Sequence, residues 1–206
     1  MAKGYANRKE EGRRPRNIVL VVTEGETERI FFEGLKQRDC NVEIKLPQTS
    51  PTDAINLVEL SIKLVKKNGL DLKDGDLAIC AFDVEDNPPE NVREAVDLAI
   101  SNGITLAISN PCFELWYILH FHRQEHSITR QEALSILKEE IEDYSKTEDY
   151  RDLLEKKRGV ATKNADGLWK KHKLGSAAQP DMPNPSTSVH LAIRLIESLV
   201  ERNRAN

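Results

Sequence analysis

Three short, almost unbroken apolar runs constrain the fold most: Asn17-Ile-Val-Leu-Val-Val-Thr23, Asp76-Leu-Ala-Ile-Cys-Ala-Phe82 and Thr105-Leu-Ala-Ile-Ser109. A strand that is apolar on both sides is buried on both faces, as in a parallel sheet covered by helices. A shorter run at 42–46 reads as another strand. Helical spacing fills the intervals. Ile30, Phe31 and Leu35 mark a helix over about 27–37. Ile55, Val58, Leu60, Ile62 and Val65 mark a second, with Thr52 as its cap and Gly69 as its C-cap. A third runs from Glu90 to Ser101 and ends at Asn102-Gly103. Asn110 and Pro111 predict a fourth helix start. The expectation is an α/β fold: a parallel sheet of about four strands flanked by helices over residues 17–121. Ligands of such sheets sit at the carboxyl ends of the strands. The loops that matter are therefore 24–28, 83–89 and 109–114.

The remaining chain divides by charge. Residues 1–16 read as a flexible basic arm, with Lys3, Arg8, Lys9, Arg13, Arg14 and Arg16. Residues 122–187 read as a charged helical insertion, with helices near 130–141 and 150–157, ending in a proline-broken loop. Residues 188–206 form a terminal helix. Its stripe of Val189, Ala192, Ile193, Ile196, Leu199 and Val200 is spaced to pack back on the core.

Composition excludes several classes. The 206 residues carry 30 Lys+Arg and 34 Asp+Glu, a net charge of −4. Yet Lys156, Lys157, Arg158, Lys163, Lys170, Lys171 and Lys173 stand against Asp166 alone over 156–173. A mildly acidic protein can thus present a basic face to a polyanion, or merely solvate a helix. Trp169 amid these bases reads either as a stacking platform for nucleic acid or as a helix anchor. No apolar run approaches the ~18–20 residues of a membrane span, and the N-terminus lacks the apolar region of a secretory signal. Cys40, Cys80 and Cys112 are scattered and odd in number, against a disulfide framework or a CxxC zinc site. A cytoplasmic location is the expectation. The phosphate-binding GxxxxGK[ST] and the dinucleotide GxGxxG are both missing. Any ATPase involved is another chain.

Chemistry concentrates where apolar strands end. Glu24-Gly25-Glu26-Thr27-Glu28 follows the first run and Asp83-Val84-Glu85-Asp86 the third. Gly25 permits a tight turn that exposes Glu24. Asp83 and Glu85, one residue apart, point the same way if the segment stays extended. Should the two strand ends be neighbours, crowded carboxylates repel and their pKa values rise unless a hard divalent cation joins them. Glu26 is better read as a first-turn acid favouring the helix dipole. Glu114 is the lone acid in an apolar helix, so it needs a partner or a metal. Cys112, near a helix start, is the alternative nucleophile, although Phe113 and Trp116 beside it argue for burial. His190, one turn into the last helix, reads either as a phosphate contact or as a satisfied packing residue.

These motifs resemble the Toprim domain: an apolar strand ending in Glu-Gly, then a later one ending in Asp-x-Asp/Glu. With Ser109-Asn-Pro-Cys-Phe-Glu-Leu-Trp116 and Asn184-Pro-Ser-Thr-Ser-Val-His190, the whole chain resembles RloB-like proteins. The resemblance implies a Toprim-like sheet and a metal-dependent nuclease acting in bacterial defence against phage beside a partner ATPase. The implied substrate is DNA, tRNA or another RNA; the implied cofactor is Mg²⁺ or Mn²⁺. Glu24 matches the Toprim glutamate, as general acid/base or metal-holding group. Asp83 and Glu85 match the Asp-x-Asp pair, with Glu in place of the second Asp and Asp86 as the alternative ligand. Glu28 and Glu114 are candidates for a second metal. Asn110, Lys170, Lys171, Lys173, Ser186, Thr187 and His190 are the candidate substrate contacts. A non-catalytic nucleic-acid- or nucleotide-binding module is the competing reading, and a homo-oligomer is open.

Overall fold

The computed structural model describes residues 16–36, 42–48, 53–175 and 178–204. The sheet contains β1 (Asn17–Thr23), β2 (Val42–Lys45), β3 (Leu77–Asp83), β4 (Thr105–Asn110) and β5 (Ser186–Thr187), in the order β2-β1-β3-β4-β5. The first four are parallel; β5 joins β4 antiparallel. The alternation of strand and helix thus produces the expected α/β architecture. The fifth strand escaped the pattern because two residues after a proline carry no periodicity.

Helices cover both faces. The described residues include α1 (Glu26–Gly34), α2 (Ala54–Asn68), α3 (Pro89–Ser101), α4 (Glu114–Ile118), α5 (Arg130–Glu140), α6 (Arg151–Glu155), α7 (Arg158–His172) and α8 (Val189–Arg204). Alternate strand residues feed two cores. Val19, Val21, Ile79, Ala81 and Ala107 pack with Phe31, Trp116, Leu137, Ala161 and Ile193. Leu20, Val22, Ala78, Cys80, Phe82 and Ile108 pack with Leu57, Val58, Val92 and Val96 on the other side. This is what strands apolar on both sides require. The whole stripe predicted on α8 is buried.

Asp53 caps α2 by accepting from Asn56 N, and Gly69 ends it at φ 62°. Thr52, read as that cap, lies outside the described residues, as do Cys40 and 1–15 of the basic arm. The helix expected from Asn110 starts later. Asn110 is the last residue of β4, the Asn110–Pro111 peptide is cis, and α4 begins at Glu114. None of the helices among the described residues is long and apolar enough to cross a membrane.

Candidate functional site

The register explains why two distant acids meet. Thr23 of β1 stands opposite Ala81 of β3. The next residue, Glu24, donates its main-chain N–H to Ala81 O at 3.0 Å. Its Oε2 then accepts the Asp83 N–H at 3.1 Å. Asn87 fixes the other side of this strand end: it donates to Asp83 O and accepts from Ala54 N, both at 2.7 Å. Asp83 is 8% exposed, and its Oδ1 is buried without a hydrogen-bond partner.

Two further acids close on this point. Glu28, on the first turn of α1, is 4% exposed, and Glu114, opening α4, is 1% exposed. Burial pushes Glu28 up to about 7; the nearby charges of Glu114 and Glu24 add to the rise, while its own main-chain N–H and Lys146 oppose it. Asp83 is raised well above the carboxylate range, chiefly by burial and then by Glu28 and Glu114, with Arg130 opposing. Burial also raises Glu24, against the hydrogen bond from Asp83. Four carboxyls from three strand-end loops therefore feel one another.

Two cations from the charged segment balance them. Lys146 Nζ lies 3.0 Å from Glu114 Oε1. Arg130, first residue of α5, donates through Nη2 to Asp83 Oδ2 at 3.2 Å and to Asp86. Glu85 is not part of the buried group. The chain turns after Asp83, with Asn87 N bonded to Val84 O, yet Asp83, Glu85 and Asp86 all reach the guanidinium of Arg130. Glu85 is exposed, 3.7 Å from Arg130 Nε. Asp86 is also exposed and bound to Arg130.

The remaining candidates are placed elsewhere. Asn110 donates to Met182 O at 2.6 Å. Ser186 and Thr187 are fully buried in β5, Thr187 sharing a hydrogen bond with Ser109 at 2.9 Å. His190 is 1% exposed, edge-on to Trp169 and 3.5 Å from Asp166. Burial lowers it to about 4. His190, Ser186 and Thr187, the candidate substrate contacts on this segment, are thus packed in the interior as the side chains stand. Trp169 is the anchor: it is buried and donates Nε1 to Thr187 O at 2.7 Å. Lys170, Lys171 and Lys173 are exposed at the C-terminal end of α7, where cations favour the helix dipole, and Lys171 donates to Glu125 O. Glu26 pairs with Arg29 on the outer face of α1. Cys112 is buried beside Glu114 and Asp83, all of which push its thiol up, so it is no thiolate nucleophile.

The motif at 184–187 acts on the site indirectly. Asn184 accepts from Ile128 N at 3.0 Å and donates to Ile128 O at 2.7 Å. That pins the residue two places before Arg130. Thr129 and Glu132 then form a capping box that sets the start of α5.

The model of the RloB-like protein family matches residues 19–197. The chain belongs to the RloB-like family. No curated protein and no solved structure matches it. In this RloB-like chain the acids are hard oxygen donors at strand ends, and one of them, Asp83, keeps a buried oxygen unbonded. That chemistry fits a hard divalent cation. As the side chains stand, no three His, Cys, Asp or Glu among the described residues form a group that could hold a metal ion; Arg130 and Lys146 supply the neutralising charge instead. An open depression of about 390 Å³ lies beside Glu24, lined by Thr23, Gly25, Glu26, Arg29 and Gln48. A more apolar groove between α1, α6 and α8 lies by Gly34 and Leu35, at the far end of α1 from the acids.

Proposed function

We propose that this chain is a divalent-metal-dependent nuclease of Toprim type, hydrolysing phosphodiester bonds in phage defence beside a partner ATPase. The observation that carries the reading is the Glu24–Asp83 junction, where two strand-end acids are locked together and Asp83 Oδ1 lies buried and unbonded. Asp83 and Glu24 would hold Mg²⁺ or Mn²⁺, with Glu28 and Glu114 behind them. When bound, the ion supplies Lewis-acid stabilisation of the charge on the phosphoryl and leaving oxygens.

The chain's own residues provide the rest. Glu24 is half-buried at the edge of the open depression, and burial raises its pKa, which favours the proton-carrying form that a general acid/base needs. The main-chain N–H of Asp83 holds that carboxyl in one orientation. Glu28 and Glu114, deeply buried behind the junction, supply negative charge to an entering cation once Glu28 gives up its proton and Lys146 no longer balances Glu114. Arg130, part-exposed beside Asp83 and Asp86, supplies the positive charge at the rim.

The test is incubation with plasmid, single-stranded DNA and total tRNA, with Mg²⁺ or Mn²⁺, with and without the partner ATPase. Metal-dependent strand cleavage is expected, and its loss in Glu24→Gln ties it to this site. The internal balance of acids by Arg130 and Lys146 favours a second reading, a non-catalytic binding module. Metal-dependent binding of nucleic acid without turnover is its signature.

A further inference from the structure

The contact between Arg130 and the acids is incomplete on both sides. Asp83 Oδ1 is buried and unbonded, while Oδ2 takes one N–H at 3.2 Å. Arg130 Nε is also buried without a hydrogen bond, with Glu85 Oε2 standing 3.7 Å away. A guanidinium well matched to a carboxylate makes two parallel N–H···O bonds. Here a single nitrogen, Nη2, serves both Asp83 and Asp86.

Nor is Arg130 placed for the helix it begins. A cation at a helix N-terminus opposes the macrodipole, and the Thr129–Glu132 capping box already completes this one. The side chain is 28% exposed, so it has a way out towards solvent. Asp86, which it also contacts, is exposed and offers a place to retreat to.

We propose that Arg130 is the resident counterion of the metal-free acid cluster, and that a divalent cation entering against the unbonded oxygen of Asp83 displaces it. The inference rests on the metal-dependent reading above. The entering ion brings two charges to four crowded carboxyls and bonds the oxygen that Arg130 leaves bare. Two cations on one carboxylate repel, so Arg130 leaves Asp83 and keeps Asp86. Arg130 thereby sets the cation affinity of the site. No covalent step is involved.

Calorimetric titration with Mn²⁺ compares wild type with Arg130→Met and Arg130→Lys. The methionine variant, which removes the competing charge, binds Mn²⁺ about tenfold more tightly at low ionic strength. The lysine variant stays close to wild type. Independently, phenylglyoxal labelling of the wild-type protein, read by peptide mass spectrometry, shows Arg130 modified several-fold faster with Mn²⁺ than without. Should Arg130→Met fail to fold by circular dichroism, the labelling decides alone. Mn²⁺ uptake by wild type with unchanged Arg130 labelling, or with no tighter binding in folded Arg130→Met, overturns the displacement and leaves the metal reading intact. No Mn²⁺ uptake by any of the three proteins overturns both.

Discussion

Gly25 leaves the space that the Glu28 carboxyl occupies: a Cβ at position 25 would stand 2.6 Å from Glu28 Oε2. Its φ of −119° is open to any residue, so the glycine is required by close approach and not by backbone conformation. Gly25→Ala therefore pushes on a carboxyl that is 4% exposed. Because the clashing atom is the end of a side chain, the cost is about 1–2 kcal/mol of stability, within the range for overpacking. Thermal unfolding of Gly25→Ala, Glu28→Ala and the double variant measures it. The double variant loses less than the sum of the singles, because the clash exists only when both side chains are present.

Acid pH stabilises the metal-free acid cluster. Glu28 binds its proton more tightly folded (pKa about 7) than in its ordinary state near 4.5. Between those values the folded state holds more protons, so stability falls as pH rises through this window. Asp83, raised as well, adds in the same direction. The span for Glu28 alone corresponds to roughly 3 kcal/mol as an upper figure. Chemical denaturation without divalent ions from pH 5 to 8 shows the decline in wild type, and Glu28→Gln flattens it. Mn²⁺ at pH 8 restores more stability to wild type than Mn²⁺ at pH 6, since the ion competes with protons for the same oxygens.

His190 works in the opposite sense. Its folded value near 4 lies below the ordinary 6.5, so the unfolded chain takes up its proton first. The stability it contributes is present above about pH 6.5 and is lost as pH falls towards 4. Its ring nitrogens are buried without hydrogen bonds, and Asp166, 3.5 Å away, is already held by Arg194, so an apolar ring of similar size costs little. His190→Phe keeps the fold, reduces acid sensitivity between pH 6 and 4, and leaves nucleic-acid affinity unchanged. A drop in that affinity would restore His190 as a substrate contact.

The sheet was legible because strands buried on both faces must be apolar along their whole length. The Glu24–Asp83 meeting follows from parallel register once β1 and β3 are neighbours. Glu85 lies outside the buried group because the chain turns after Asp83, although both acids still reach Arg130. His190 stands three residues before Ile193, on the edge of the buried stripe, a signal outweighed by the polar residues just before it. Arg130, Lys146 and Asn87 had no local signature. Arg130 meets Asp83 across 47 positions, and nothing nearby in sequence separates it from any solvated helix charge.

Asn184 transmits the C-terminal motif to the site by gripping both main-chain groups of Ile128. Asn184→Ala leaves a part-buried N–H and C=O unpaired, at a cost of about 1–3 kcal/mol. The segment leading into α5 loosens, and amide exchange at Ile128 and Thr129 accelerates. Ser127, which donates to Asn184 O at 2.8 Å, keeps its bond because that acceptor is main chain. Protection at β1 and β3 is unaffected.

Glu24→Gln and Asp83→Asn separate chemistry from folding. Glutamine at 24 keeps an oxygen to accept the Asp83 N–H, and asparagine at 83 keeps one for Arg130 Nη2. Each change removes one negative charge at a site where burial, and then neighbouring acids, raise the pKa of both residues. The melting temperature at pH 8 without metal is therefore equal to or above that of wild type. Each change also removes a carboxylate from the cation-binding set, so Mn²⁺ affinity falls by about tenfold or more, as expected when one of few anionic ligands is neutralised. Cleavage of nucleic acid is lost in both. Full activity in either folded variant, measured with the metal that supports wild type, refutes a catalytic site at this strand junction.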